Sequence, residues 1–161
     1  MKILLVYPVF PDTYWSFRHA LTFEGKQAAF PPLGLMTIAA MLPENWERRL
    51  VDMNVESLNS ADLEWADIVF VSAMLVQKES LESVVKLCNE MGKRVAVGGP
   101  YVSTNAEQLD NADYIFIGEA ETTLPEFIVD LKLGCAKHTY KADERPSLLE
   151  TPVPDFSLID L

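Results

Sequence analysis

Basic charge, cysteine, histidine and long apolar runs are all scarce in this chain, and each shortage removes a class of function. Among 161 residues, 13 Lys and Arg stand against 24 Asp and Glu, a formal net charge of -11 at pH 7. Phosphate binding needs a basic face, so nucleic acid is not an expected partner, and an anionic membrane surface is disfavoured for the same reason. The acidity reads as a solubility device. No stretch approaches the roughly 20 apolar residues of a membrane span. The start, Met1 to Tyr7, is too short for a signal peptide's apolar region. Only Cys88 and Cys135 are present, with no C-x-x-C, so no iron–sulfur centre is encoded. Cys88 falls on the apolar face of an expected helix and reads as a reduced core thiol, which fits a cytoplasmic location. His19 and His138 form neither a metal set nor a serine triad. No metal ligand and no catalytic residue is expected in this chain.

What is present is an alternation of apolar strands and amphipathic helices. Ile3–Tyr7, Ile68–Val71, Val95–Val97 and Tyr114–Ile117 are almost wholly apolar, the pattern of strands buried on both faces of a parallel sheet. Arg49–Met53 is more polar and suits an edge. Pro31-Pro32 opens a helix carrying Leu33, Met36, Ala40 and Met41, which Pro43 ends. Leu81, Val84, Val85, Cys88 and Met91 repeat at helical spacing, with Gly92 as a stop. Leu124, Phe127, Ile128 and Leu131 make a third stripe. A capping box of Thr123 and Glu126, Pro125 in the first turn and Gly134 at the end complete it. The segments at 60–66 and 105–111 are short and polar, so helices there should be brief. The expected fold is a doubly wound, Rossmann-like or flavodoxin-like α/β/α sandwich. Its five-stranded parallel sheet takes the order 2-1-3-4-5 under the right-handed crossover rule. The cleft belongs at the switch point, lined by the loops after Tyr7, Val71, Val97 and Ile117.

Two glycine steps at strand ends mark that rim: Gly98-Gly99-Pro100 after Val97 and Gly118-Glu119-Ala120-Glu121 after Ile117. Bare backbone lets a ligand approach closely, and two bare steps side by side suit a broad, flat guest. Several uses of the fold fail. After the first strand the chain reads Tyr7-Pro8-Val9-Phe10-Pro11-Asp12-Thr13, with no G-x-G-x-x-G and no flavodoxin phosphate loop. A P-loop is absent, and Ser72 stands where a phospho-receiver domain carries its aspartate.

Five landmarks remain in order: Pro31-Pro32-Leu33-Gly34-Leu35, Val51-Asp52, Val71-Ser72-Ala73-Met74, Gly98-Gly99-Pro100-Tyr101, and Gly118-Glu119-Ala120-Glu121 with Thr123-Leu124. Together they resemble the amino-terminal cobalamin-binding domain of cobalamin-dependent radical S-adenosylmethionine enzymes, over nearly the whole chain. The resemblance implies cobalamin as cofactor and partner, seated by Pro11 and Asp12, by Ser72, Ala73, Met74, Leu75 and Val76, by Gly98, Gly99, Pro100 and Tyr101, and by Gly118, Glu119, Ala120 and Glu121. A corrin asks for bare backbone at Gly98, Gly99 and Gly118 and an apolar floor at Met74, Leu75 and Val76. Its nucleotide tail asks for a polar anchor such as Ser72 and a channel into the fold. Simpler readings stand beside these: a tight turn at Gly98-Gly99, a helix cap at Ser72, core at Met74–Val76, and solvated first-turn acids at Glu119 and Glu121. The chain departs from the best-known cobalamin motif, D-x-H-x-x-G, since Asp12 is followed by Thr13 and Tyr14. Cobalt's lower face is therefore expected to meet an apolar or weakly coordinating residue, or water.

The resemblance further implies a radical S-adenosylmethionine barrel, carrying S-adenosylmethionine and a 4Fe-4S cluster, as the domain that follows. Residues 1–136 form the expected cobalamin domain and 137–161 an extended linker, because Pro146, Pro152 and Pro154 disfavour regular structure. The expected function is the cobalamin-holding module of a methyltransferase, not catalytic alone. The alternative is a non-catalytic Rossmann-like interaction domain that has lost its cofactor. The aromatic loop from Val9 to Phe30 (Phe10, Tyr14, Trp15, Phe17, Phe23) reads as a lid, as an interface with the barrel, or as a loop folded on its own cluster.

Overall fold

The structure, a computed structural model, describes residues 1–13, 21, 25, 28, 30–143, 146, 147, 149 and 151–159. The aromatic loop residues Tyr14, Trp15, Phe17 and Phe23, together with His19, lie outside the described residues. The strands are β1 (Lys2–Tyr7), β2 (Glu47–Asp52), β3 (Ile68–Ser72), β4 (Arg94–Gly98), β5 (Tyr114–Ile117) and β6 (Thr139–Lys141). They pair in parallel in the order β2-β1-β3-β4-β5-β6. The first five follow the expected order, and the sixth is new. Helices α1 (Leu33–Met41), α2 (Ser60–Trp65), α3 (Lys78–Glu90), α4 (Pro100–Asn105) and α5 (Ala120–Leu133) connect them.

Both faces of the sheet are buried, as the apolar strand runs require. On one face Leu4, Val6, Val69, Val71, Val95 and Val97 pack under α2, α3 and α4 through Leu63, Leu81, Val85, Cys88 and Val102. On the other face Ile3, Leu5, Phe70, Ala96 and Phe116 pack under α1 and α5 through Leu35, Ala39, Leu124 and Phe127. Among the described residues no helix is long and apolar enough to cross a membrane.

Three local expectations change. First, α5 begins at Ala120 with Glu119 as its N-cap, one turn before the expected capping box. Thr123 Oγ1 instead donates to the Glu119 carbonyl at 3.1 Å, which places Pro125 in the second turn. Second, the brief helix expected at 105–111 is a single 3-10 turn at Ala106–Gln108, and an unexpected helix precedes it at Pro100–Asn105, directly on the glycine step, with Pro100 in its first turn.

Third, regular structure returns beyond Gly134, in the stretch read as extended linker. The physical reason is Tyr140. It is buried, its ring stacks 5.6 Å from Phe116 and meets Phe127 edge-on at 5.4 Å. Its hydroxyl donates to Asp130 Oδ2 at 2.9 Å and accepts from the Lys137 amide at 2.8 Å. The short strand takes its register from that ring, with Phe116 opposite Tyr140. The β5–α5–β6 connection steps in the same direction across the sheet as β3–α3–β4, yet α5 lies on the opposite face from α3. Its hand is therefore opposite to that of the β3–β4 crossover, against the strong right-handed preference of such units. The α1 face explains this. With α1 alone over it, Phe70, Ala96 and Phe116 would stand uncovered.

Two outcomes follow for stability. Tyr140→Phe removes both hydroxyl bonds and is expected to cost about 1–2 kcal/mol, and Tyr140→Ala about 3–5 kcal/mol, in urea denaturation. Cys88 is buried and free, and its thiol is pushed up to about 11, by burial first and by the Asp113 carboxylate second. The folded state favours the neutral thiol, so this contribution is complete below the ordinary value of 9.0 and is lost as pH rises from there towards 11. At pH 8, a thiol reagent is expected to titrate only the exposed Cys135 in the folded chain and both cysteines in denaturant.

Candidate functional site at the carboxyl rim

The rim is built where β1 and β3, neighbours in the sheet, send their chains to opposite faces. After β1, Pro8 is buried and its carbonyl accepts from Gln77 Nε2 at 2.5 Å and Asn54 Nδ2 at 3.3 Å. The next two amides are also held: Val9 donates to Ser80 Oγ at 3.0 Å and Phe10 to Asn54 Oδ1 at 2.8 Å. Asp52, at the end of β2, accepts from both the backbone amide and the side chain of Asn54, at 2.9 and 2.7 Å. Beside this cluster Tyr7 is held above the usual phenol range, by burial first and then by the Asp52 charge, against a hydrogen bond with Gln77. The phenol therefore stays protonated. Pro11 and Asp12 follow, both exposed.

After β3 the chain makes a shelf. Ala73 is buried, its amide donating to the Gly98 carbonyl at 3.2 Å and its carbonyl accepting from Tyr101 at 3.1 Å. Met74, Leu75 and Val76 are then 47%, 66% and 57% exposed. They are not core, so that reading of the apolar triplet falls. Val9 and Phe10, at 41% and 39%, extend the same apolar edge. Ser72 does not cap the following turn; the Met74 amide is held instead by Gln77 Oε1 at 2.9 Å. Among the described residues the Ser72 hydroxyl has no hydrogen-bond partner.

The three glycines do different jobs. Gly99 has φ +94°, and a Cβ there would lie 2.6 Å from Ser72 Oγ and 3.0 Å from Ala73 backbone atoms. The turn reading is right for Gly99. Gly118, at φ +88°, is fixed by its amide bond to Ser103 Oγ (3.0 Å) and by Ala142 of the β6 exit, 2.8 Å from where a Cβ would sit. Gly98 is different. Its φ is ordinary, and a Cβ would make a normal 3.5 Å contact with Phe116 Cβ. Among the described residues no contact demands glycine at that position.

Beneath Gly98 lies a slot enclosing about 40 Å³. Leu35 and Ile38 of α1, Ala120 and Leu124 of α5, and Phe70, Ala96 and Phe116 of the sheet wall it, with Ser72, Gly99 and Gly118 at the mouth. It centres on β4 rather than at the β1–β3 switch point where the cleft was expected. The cause is side-chain size, since Ala96 and Gly98 leave the α1–α5 face of β4 thinner than its neighbours.

The remaining predicted positions divide. Pro100 and Glu119 are exposed at the rim, and Ala120 is half-buried. Glu121 is half-buried and accepts from Thr151 Oγ1 at 3.0 Å, an intramolecular partner rather than open water. Tyr101 is fully buried in the α3–α4 core with its hydroxyl towards Gln108, so only its backbone stands at the rim. Gln77 escaped sequence reasoning. The available signal was a glutamine four residues before Leu81, continuing the apolar stripe of α3.

Comparison with known proteins places these features in context. The family model described as B12 binding domain matches residues 27–128. An uncharacterized methyltransferase of Synechocystis sp. is 39% identical over 163 residues, covering 100% of this chain and 30% of its own length. The hopanoid C-2 methylase of Rhodopseudomonas palustris is 31% identical over 99% of this chain and 31% of its own. The bacteriochlorophyllide d C-12(1)-methyltransferase of Chlorobaculum tepidum is 26% identical over 78% of this chain and 28% of its own. The chain thus spans about a third of the length of the curated relatives it matches. No solved structure gives a significant match.

The glycine analysis makes a sharp contrast testable by thermal or urea denaturation. Gly99→Ala is expected to destabilise the fold by roughly 1–3 kcal/mol through strain and overlap with Ser72. Gly98→Ala, one residue away, should change stability by less than about 1 kcal/mol.

Proposed function

The chain belongs to the B12-binding domain family, and from that premise we propose that it seats cobalamin at the carboxyl rim of its sheet as the cofactor-holding part of a methyltransferase. The observation that carries the reading is Gly98. Among the described residues nothing requires a glycine there, so its missing side chain is explained by what it leaves open, the mouth of the slot. The residues fit the group in a second respect. Met74, Leu75 and Val76 give an exposed apolar edge beside that mouth, in keeping with a broad macrocycle lying flat against it.

In this reading a bound cobalamin supplies a cobalt centre able to carry a methyl group. The chain's own residues bind and orient it. Met74, Leu75 and Val76, with Val9 and Phe10, cover apolar surface and exclude water. Ser72, whose hydroxyl is unpartnered, offers a donor to the nucleotide tail as it enters between α1 and α5. Pro11, Asp12, Gly99, Pro100, the Tyr101 backbone, Gly118, Glu119, Ala120 and Glu121 complete the rim. The slot's 40 Å³ is far below the several hundred Å³ of a drug-sized ligand site, so α1 and α5 must part to admit the tail.

Methyl transfer itself belongs to the whole protein. The names of the relatives support methyltransferase activity, and the landmark residues support a radical S-adenosylmethionine barrel with its 4Fe-4S cluster beyond residue 161. We place the domain at 1–136 together with the β6 strand that completes its sheet, and the connection to that barrel in the residues that follow β6, up to 161. The absence of D-x-H-x-x-G supports a cobalt whose lower face takes no protein nitrogen.

The test mixes the 161-residue chain with hydroxocobalamin, removes free ligand and records visible absorption. Retained corrin absorbance is expected, with no protein-nitrogen coupling in electron paramagnetic resonance after reduction. Gly98→Leu, which fills the mouth of the slot, should weaken binding at least about tenfold, the scale of a lost or blocked close contact. A wild-type chain that retains no corrin sinks the reading in favour of a cofactor-free interaction domain.

A further inference from the structure

The apolar edge of the rim is assembled from two loops that the sheet does not join. The β1–β3 ladder ends at Val6 opposite Val71, after which the two chains leave the sheet as separate loops. Val9 and Phe10 lie on the first loop, and Met74, Leu75 and Val76 on the second. Without a cross-link the two halves have no fixed spacing.

We propose that Gln77 is the positioning residue that sets this spacing and so holds the cofactor shelf ready before ligand arrives; this rests on the cobalamin reading above. Gln77 is the buried member of the linkage, 1% exposed, while Met74, Leu75 and Val76 stand out in solvent. Its amide is used at both ends. Oε1 accepts the Met74 amide at 2.9 Å on its own loop, and Nε2 donates to the Pro8 carbonyl at 2.5 Å on the other. One rigid planar group therefore fixes the start of each half of the shelf. Asn54 holds the Phe10 amide from the β2 side, and Ser80, in the first turn of α3, ties the Val9 amide to the helix that follows the shelf. Gln77 is the buried tie, and the one of the three that also holds the Met74 end of the β3 loop. A glutamine suits this place because it has one acceptor and one donor on a single buried amide. Glutamate keeps only the acceptor, and methionine keeps the shape with neither. A shelf fixed in advance spares the ordering of two loops on binding.

The two variants separate the halves of the bridge in the 161-residue chain. Amide hydrogen exchange is read without ligand, and hydroxocobalamin affinity is measured in parallel. In Gln77→Met, exchange should rise at least about tenfold at the amides of Met74, Val9 and Phe10, with affinity weakened about tenfold. In Gln77→Glu, the Met74 amide stays protected while those of Val9 and Phe10 lose protection, and affinity falls as well. That split is the signature of a bridge. Should exchange rise evenly through β1, β3 and β4 in both variants, Gln77 is merely a packing residue and the proposal is overturned. Unchanged loop exchange in the folded Glu variant overturns it equally, and that variant carries the test if the Met variant does not fold. A wild-type chain that takes up no cobalamin removes the functional reading instead, and the loop exchange pattern then decides the bridge by itself.

Discussion

The structure depends on one constraint: β1, β3 and β4 run through the middle of a parallel sheet with apolar side chains on both faces, so both faces must be covered. Ile3, Leu4, Leu5, Val6, Val69, Val95 and Val97 are wholly inaccessible to water. At roughly 25 cal/mol per Å² of apolar surface, that burial is the main force holding the fold. Helices satisfy it along the strands but not at their ends, where each chain must leave the sheet and turn. At the carboxyl rim, as at every end of the strands, the chain must leave the sheet, and whatever stands there is set by the loops.

The rim loops divide the work between rigidity and openness. Gly99 and Gly118 adopt left-handed φ values and lie against Ser72 and Ala142, so they shape the turns. Asn54, Ser80 and Gln77 tie the β1 loop down through three backbone groups, the Pro8 carbonyl and the amides of Val9 and Phe10, with Asp52 holding Asn54, while Gln77 also holds the Met74 amide of the β3 loop. Gly98 alone contributes by leaving space. The walls below it, α1 and α5, also carry the exit segment: the Asp155 amide donates to the Met36 carbonyl at 3.0 Å, and Thr151 bonds Glu121. Arg48 fastens the same place, donating to the Ala39 carbonyl at 2.6 Å and lying 3.8 Å from the Asp155 carboxylate. The chain that leaves the domain is thus bound to the two helices that wall the slot.

Most of this frame is legible in the sequence because burial on two faces writes an uninterrupted apolar run. Four strand assignments descend from that signal; the more polar Arg49–Met53 is legible as an edge strand, the helix stripes from their helical spacing, and the order 2-1-3-4-5 from the crossover rule. What the sequence hides has a common cause, a single residue outvoting its neighbours. Tyr140, between exposed Thr139 and Lys141, makes β6 in a polar stretch, and a strand added beyond β5 through a helix on the α1 face runs against the right-handed crossover rule. The start of α5 is set by backbone bonds to the Glu119 carbonyl, which a capping-box pattern at Thr123 and Glu126 does not reveal. Gln77 is obscured because one polar residue on an apolar stripe looks like an interruption when it is a buried bridge. At the rim, the glycines are visible as residues, but only the φ values and the neighbouring atoms divide Gly98 from Gly99.

That division is what turns composition into function. Elsewhere the chain obeys the rules of a stable fold, and among the described residues no buried polar side-chain atom lacks a hydrogen-bond partner. A protein selected for stability alone would place Ala or Val at position 98, gaining strand rigidity and packing against Phe116. It would also place polar residues at Met74, Leu75 and Val76, since an exposed apolar triplet invites association. The chain does neither, and the two departures sit side by side at the carboxyl rim. Local rules broken together, beside the buried Gln77 hydrogen bonds, are what the proposed cobalamin site rests on.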